Sequence, residues 1–507
     1  MTGYLSLILT AHVPYVRTVE RQPIGEEVLH ETIAYSLVPL INTLYDLHEL
    51  GIQPQIALAF SPILLEQLSD SIVQKHFVIW MEQWLEQLSH ERIQYERKRD
   101  DHRTYLAHFY LDWGQGILHS FDQRYGRNLV TALYNLCDAG VIEPITGAAT
   151  HAYLPLLSHK ESIRAQLDVG KMVVSRRLGR QPRGLWLPEC GYHPKLKPHI
   201  VANDTRYTVI DPQSVAHEPP ITHLRPRWVV TRQFVAFIRD QMATQQVCSP
   251  DLGYVGDPLY LAPRRDTHTR IAWWKNGMGS ELDPPLYDPY HAFQRAQEHA
   301  SHFISYIDGQ LSTFQQQHDR PGVVMLPLDL EFIGRRWFEG PAWIQSLIEG
   351  VSRHPDIQLT PPSAYLRSYR PRQKAYLRGG SWGMGGDHRT WSHGATFRVW
   401  QPIYAAEERF TLLAQRFPHA TGIRERLLNQ AARELLLAQS SDWPLMMGHE
   451  DLSGEALDRL SQHFERFDSL CNLIERPSLA TTDLDFLDEV EELDNPFPYL
   501  NYRVFTR

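Results

Sequence analysis

At 507 residues the chain is too long for one small core, and with 43% hydrophobic and 21% charged residues it can bury enough apolar surface to fold as a large globular domain with attachments. A formal charge of −9 without a dense Lys/Arg block argues against nucleic acid or an anionic membrane as the main partner and for a neutral ligand. No run approaches the ~18 apolar residues of a membrane span, and Cys137, Cys190, Cys248 and Cys471 lack C-x-x-C spacing, which speaks against a zinc knuckle or a disulfide framework and for a reducing compartment, the cytoplasm.

The first run, "LSLILTA" at 5–11, reads as a strand and not a signal peptide, because no basic leader precedes it. A helix over 31–50 and a strand over 55–62 follow. Residues 64–125, with "FVIWMEQWLEQL" and "HERIQYERKRD", are charged, helical and poor in strand signals, so they predict an inserted helical subdomain. Further strands are expected at 141–146, 184–188, 207–211 and 322–329. Strands alternating with helices predict a parallel α/β sheet, either doubly wound or closed as a barrel, over 1–63 and 126–403. From 404 to 507 the pattern changes to helices alone, and Leu427, Leu428, Ala431, Leu435 and Leu436 share one helix face.

Polar residues follow the strand runs directly: His12, Ser61, Thr146, His151, Glu189, Asp211 and Asp329. In parallel α/β folds the carboxyl ends of strands are where sites are built. Glu189 in "GLWLPECGYHP" and Asp329 in "LPLDLEF" are the candidate catalytic pair, since two carboxylates suffice for glycoside hydrolysis or transfer, one as nucleophile and one as acid then base. His12 and His151 would line the same mouth, binding sugar hydroxyls or tuning the carboxylates. Metal ligation is the competing use of His and Asp, but no H-x-x-x-H or H-E-x-x-H pair supports it. The Gly-rich stretch "GGSWGMGGDHRTWSHG" at 379–394 carries Trp382 and Trp391, read as stacking platforms for sugar on a loop. In "SSDWPLMM" at 440–447, Pro444 is expected to end a helix, and Asp442 either is solvated or reaches from the helical region into the mouth.

Taken in order, "AHVPY", "ITGAATHAYLPLL", "GLWLPECGYHPKL", "LDLEFIGRRWFEG" and "SSDWPLMM" resemble glycoside hydrolase family 57, and within it the 1,4-α-glucan branching enzymes, over nearly the whole chain. The Gly/Trp stretch and the closing "NPFPYLNYRVF" resemble that subfamily in particular. The resemblance implies an incomplete (β/α)7 barrel with an inserted helical subdomain and a C-terminal helical domain. It implies no metal or other cofactor, a monomer, and an α-1,4-glucan such as amylose or glycogen as partner. Glu189 would be the nucleophile and Asp329 the acid/base, with His12, His151, Trp382, Trp391 and Asp442 contacting glucan.

Two departures bear on the acceptor. The family pattern D-x-E-x-F-G-H-x-W has Ile333 and Arg335 in place of Phe and His here, with Arg336 beside them, while Asp329 and Glu331 are kept. The segment 225–247, expected to cover the site, reads as shorter and without tyrosine, which predicts strong competition from water. The readings left beside branching are an α-amylase-like hydrolase, a 4-α-glucanotransferase, a metal-dependent deacetylase and a glucan-binding protein that has lost catalysis.

Overall fold

The structure, a computed structural model, describes residues 3–18, 25–215, 224–229, 234–263, 271–276, 285–318, 320–448 and 450–506. Ten strands form in chain order: β1 (Gly3–Ala11), β2 (Ile56–Phe60), β3 (Ile142–Thr146), β4 (Gly184–Leu185), β5 (Tyr207–Ile210), β6 (Arg227–Val229), β7 (Val235–Ile238), β8 (Gly322–Asp329), β9 (Ile357–Leu359) and β10 (Lys374–Ala375). Seven of them run parallel in the order β7, β5, β4, β3, β2, β1, β8, so the sheet winds around and brings the last long strand beside the first. The result is an incomplete (β/α)7 barrel. Its seam lies between β7 and β8, where no ladder joins the strands among the described residues and a backbone bond crosses from Asp240 N to Met325 O at 2.9 Å.

The apolar runs are nearly continuous because both faces of each strand are covered. Along β1, Ile8 points into the barrel with Ala57, Ala59, Val209, Val323 and Met325, while Leu5, Leu7 and Leu9 face the surrounding helices. Small Ala side chains on β2 leave room for the larger inward residues of its neighbours. The seven parallel strands thus end at one mouth, where the chain turns polar.

Within 64–125 the chain forms two long helices, Ser71–Lys98 and Asp101–His119, joined at Arg99 in the left-handed conformation. The expected helix over 31–50 starts earlier, at Glu27, and includes a π-helical segment at Thr32–Leu37. Towards the C-terminus, Ile423–Ala438 buries Leu427, Leu428, Ala431 and Leu435 on one face, as its spacing predicts. At the end of this helix, Gln439 joins two others: its Oε1 accepts from Gln166 Nε2 on the helix Lys160–Leu178 at 2.9 Å, and its Nε2 donates at 3.0 Å to the fully buried Glu407 on the helix Phe397–Arg416, which also accepts from Ser158 N in the segment after β3 at 2.9 Å.

Two expectations are corrected. Pro444 does not end a helix; it sits in the first turn of the short helix Asp442–Met446, where its missing N–H has no partner to lose. The 225–247 segment is also mostly regular structure: it contains β6, β7 and the helix Gln241–Cys248, and β7 is a barrel strand buried on both faces. Residues 230–233 lie outside the described residues, and so does the part of the expected cover that falls on them. No helix among the described residues is long and apolar enough to cross a membrane.

Candidate active site

Glu189 stands on a turn that follows β4, and its backbone is strained. Both Glu189 (φ 62°) and Cys190 (φ 50°) are in the left-handed region, which costs a non-glycine residue on the order of 1–3 kcal/mol. The turn is held from several sides. Trp186 N donates to Thr146 O at 2.7 Å, and Cys190 N and Gly191 N close back on Leu187 O and Pro188 O at 2.9 Å each. Tyr192 and Gly380 exchange backbone bonds of 2.8 and 3.0 Å, Trp382 N donates to Glu189 O at 3.1 Å, and Trp382 Nε1 donates to Glu189 Oε2 at 2.6 Å. The Gly-rich stretch is therefore the brace of the Glu189 turn.

Across the mouth, Asp329 closes β8. Its Oδ1 accepts from Glu331 N at 2.9 Å, an Asx turn that points the carboxyl into the opening, and the residue remains exposed. Desolvation pushes Glu189 up to about 7; the Trp382 hydrogen bond opposes this and the negative field of Asp329 adds to it. Asp329 is likewise raised, because the protein crowded around its carboxyl desolvates it even though its outer surface stays open at the mouth, against the pull of the Glu331 amide and of His12 and Arg336. The two carboxyls lie close enough to feel each other's charge.

The histidines form a stacked pair with ring centroids 4.0 Å apart and planes 10° apart. His12 Nδ1 meets Ser61 Oγ at 2.9 Å and its Nε2 meets Asp442 Oδ2 at 2.9 Å, while His151 Nδ1 meets Ser441 Oγ at 3.0 Å and lies 4.0 Å from Glu189 Oε1. Burial alone would discharge both rings. For His12 the Asp442 carboxylate outweighs burial and raises it, whereas burial and the neighbouring His12 cation hold His151 well below its ordinary value. Asp442 pays desolvation too, yet His12 brings it down to about 2. The pair is thus biased towards a charged His12 and a neutral His151.

Of the sequence-predicted residues, Glu189, Asp329, His12, His151, Trp382 and Asp442 meet at this mouth. Trp391 does not present a face to it. Its ring is 1% exposed and stacks on Tyr153 at 4.3 Å, and its carbonyl accepts from Trp400 Nε1 at 2.7 Å, because the loop folds back on the helix that follows. Trp391→Ala is expected to cost about 3–5 kcal/mol of stability, read as a fall in thermal unfolding temperature, with little change in glucan affinity per folded molecule. Asp211 is taken up structurally by a two-pronged contact with Arg239, Nε at 2.7 Å and a second nitrogen at 2.6 Å.

Sequence reasoning passed over Ser61 and Ser441 as histidine partners, and gave Glu331 no role. Its carboxyl shares the mouth with Asp329, and desolvation and the Asp329 charge push it up to about 8. The spacing D-x-E was the available signal. Among the described residues, the one buried cluster with metal-holding geometry is Glu434, His463 and Asp494. Its charges already neutralise one another, with His463 Nδ1 2.8 Å from Glu434 Oε2 and Arg466 2.5 Å from Asp494.

Residues 6–378 match the model of glycosyl hydrolase family 57, and residues 402–505 match that of the 1,4-alpha-glucan branching enzyme C-terminal region. The chain is 30% identical to the 1,4-alpha-glucan branching enzyme TK1436 of Thermococcus kodakarensis, over 98% of this chain and 78% of that one. Among solved structures, a GH57-type branching enzyme from Pyrococcus horikoshii superposes with a TM-score of 0.94 at 32% identity, covering 100% of this chain and 97% of the other. The alpha-amylase AmyC from Thermotoga maritima superposes with a TM-score of 0.90 at 27% identity, covering 100% and 99%.

Proposed function

This chain belongs to glycosyl hydrolase family 57, and we propose that it is a 1,4-α-glucan branching enzyme that works by a retaining double displacement. The observation that carries this reading is the placement of Glu189 and Asp329 at one mouth, the first fixed by Trp382 and the second open to solvent. As the carboxylate, Glu189 attacks the anomeric carbon of a glucose unit within an α-1,4 chain. Asp329 gives its proton to the departing glycosidic oxygen, leaving a glycosyl ester on Glu189. Asp329, now ionised, takes the proton of a glucan 6-hydroxyl as that oxygen attacks the same carbon, which restores Glu189 and forms an α-1,6 branch with retained configuration.

Both His12 nitrogens are taken by Ser61 and Asp442, so His12 acts on a bound sugar through its charge, while His151, biased to the neutral form beside Glu189, is the ring left to meet a sugar hydroxyl without neutralising the nucleophile outright. No step calls for a metal or other cofactor. The expected partner is a linear α-glucan bound by a monomer in the cytoplasm, where thiols such as Cys137, Cys190 and Cys471 stay reduced.

A second reading, hydrolysis at the same dyad, is favoured by the likeness to an α-amylase structure. Incubation with amylose tests both, with reducing ends titrated and the α-1,6 and α-1,4 anomeric protons measured by NMR on one sample. Branching predicts new α-1,6 signal in excess of new reducing ends. Reducing ends without α-1,6 signal would reassign the acceptor to water.

A further inference from the structure

A second opening lies at the end of the barrel away from the mouth, where β3 and β4 begin. The cavity there measures about 260 Å³ and is walled by the first residues of β3, by the turn that leads into β4, and by the short helix Pro362–Ser368. The length of the strands separates it from Glu189 and Asp329, which stand at their far ends.

Three guanidinium-bearing side chains line this cavity, Arg180 and Arg183 from the turn and Arg367 from the helix. Each leaves a fixed backbone. Gly179, at φ 67°, ends the helix Lys160–Leu178, and a Cβ there would stand 2.2 Å from the Tyr134 ring, so the chain has one way out of the helix into Arg180. Arg183 O accepts from Arg206 N at 2.8 Å where β4 and β5 start to pair. Arg367 is held in its helix, and its NH1 donates to Ser363 Oγ at 3.4 Å.

Little balances these charges. Arg183 meets Asp204 at 3.1 Å and Arg180 stands 4.0 Å from Asp138, but the four side chains keep 50–78% of their surface open, and pairs that exposed hold each other weakly. Arg367 has no ion-pair partner among the described residues. The one carboxyl in the lining, Glu143, is already engaged in the wall. One of its oxygens accepts from the Tyr207 hydroxyl, and the other accepts from Ser363 N at 3.1 Å and Ser363 Oγ at 2.7 Å, closing the first turn of the helix. In a chain of formal charge −9, three cations thus converge on a cavity whose only acid is turned into its own wall. No aromatic ring lines it, which sets it apart from a surface that stacks on glucan.

We propose that this cavity is a binding site for a small phosphate-bearing molecule, with Arg180, Arg183 and Arg367 holding the phosphate. Guanidinium groups suit a phosphate because their planar N–H pairs match its oxygens, and three of them from two separate segments enclose it from more than one side. Size narrows the occupant. At about 260 Å³ the cavity is just below the ~300–1,000 Å³ that drug-sized ligands take, so it suits a free phosphate or the phosphate of a single sugar. Gln181 at the same rim has an amide for a sugar hydroxyl. Since the cavity and the mouth are at opposite ends of the strands, this ligand and a glucan bind at the same time.

The test is calorimetric titration of the full-length protein at low ionic strength with inorganic phosphate and with glucose 6-phosphate, joined to equilibrium dialysis of glucose 6-phosphate with and without excess maltoheptaose. Binding is expected with a Kd of about 1 mM or tighter, weakening as salt is added, and undisturbed by maltoheptaose. Equal affinity for the two probes would identify free phosphate as the occupant, and tighter binding of glucose 6-phosphate would identify a sugar phosphate; either result supports the site. Arg367→Gln is expected to weaken binding by at least about tenfold and Arg367→Lys by less, because lysine keeps the charge but not the fork. Turnover of amylose should be unchanged in both. Arg180→Gln supplies an independent loss, so the outcome does not depend on the folding of one variant. Absence of binding by both probes, affinity undiminished in Arg367→Gln and Arg180→Gln, or displacement by maltoheptaose would overturn the proposal.

Discussion

Glu189→Gln is expected to abolish turnover on amylose, by at least about a thousandfold, and at the same time to raise thermal stability above neutral pH. The two effects have one cause. The carboxyl needed as a nucleophile is set in a desolvated turn, near the negative field of Asp329, and titrates near 7 instead of its ordinary 4.5. A folded-state value above the unfolded one means that the penalty for ionising Glu189 is absent below about pH 4.5, grows through the interval and is complete above about pH 7. The amide keeps an oxygen for the Trp382 N–H and carries no charge, so it escapes that penalty. The gain is expected to be about 3 kcal/mol at pH 8, a rise of a few degrees in a chain of this size, and to vanish at pH 4. Thermal unfolding of both proteins at the two pH values, beside activity, is the measurement. An unfolding temperature at pH 8 equal to or below that of the wild type would show that Glu189 is not held as a desolvated acid. The same sign governs rate: wild-type kcat/KM is expected to rise with pH through about 7 as Glu189 ionises.

Asp442→Asn removes the counter-ion of His12. The pair is largely buried, 14% of each side chain remaining open, and taking away one partner leaves an imidazolium without its carboxylate. A loss of about 3 kcal/mol is expected near pH 5, in line with broken buried pairs. The pH dependence follows from both partners. Asp442, held down at about 2, contributes above the ordinary carboxylate value and loses that contribution as pH falls towards 2. His12, raised by Asp442, contributes below its ordinary value of 6.5 and loses that contribution as pH rises through its folded value. The deficit of the variant should therefore be greatest at about pH 4 to 6.5 and shrink in alkali. Activity should fall by about 10–100-fold, since the His12 ring loses both its charge and one of its two anchors. Unfolding temperatures at pH 5 and 9, with the His12 ring protons followed by NMR, test this. An unchanged His12 titration would rule it out.

Much of this architecture was legible because burial and chemistry leave different marks. Continuous apolar runs such as "GVVMLPLD" need two covered faces, and a parallel sheet supplies them, so β1, β2, β3, β5 and β8 were readable. β7 was missed because "VAFI" is short and flanked by Arg239 and by residues that look like loop, and its identity comes from pairing with β5. The polar residues at strand ends pointed to Glu189 and Asp329, but not to what holds them. Trp382 and Trp391 stand nine residues apart in the same stretch, and no local pattern tells the one that braces Glu189 from the one that fills the core over Tyr153. Glu331 was visible as a letter in a motif. Its proximity to Arg335, which Glu31 anchors, depends on the approach of Gly334 to Tyr35, which is a tertiary fact.

The brace on Glu189 and the anchor on His12 come from far along the chain, 193 and 430 residues away respectively. During synthesis the ribosome releases the Glu189 turn long before Trp382 exists, and His12 waits for Asp442 for roughly half a minute or more at ordinary elongation rates. A nascent or prematurely terminated polypeptide thus holds both carboxyls' strands without a formed active centre. Glucan chemistry begins only when the C-terminal helices have emerged and closed on the barrel, so incomplete translation products should be catalytically silent.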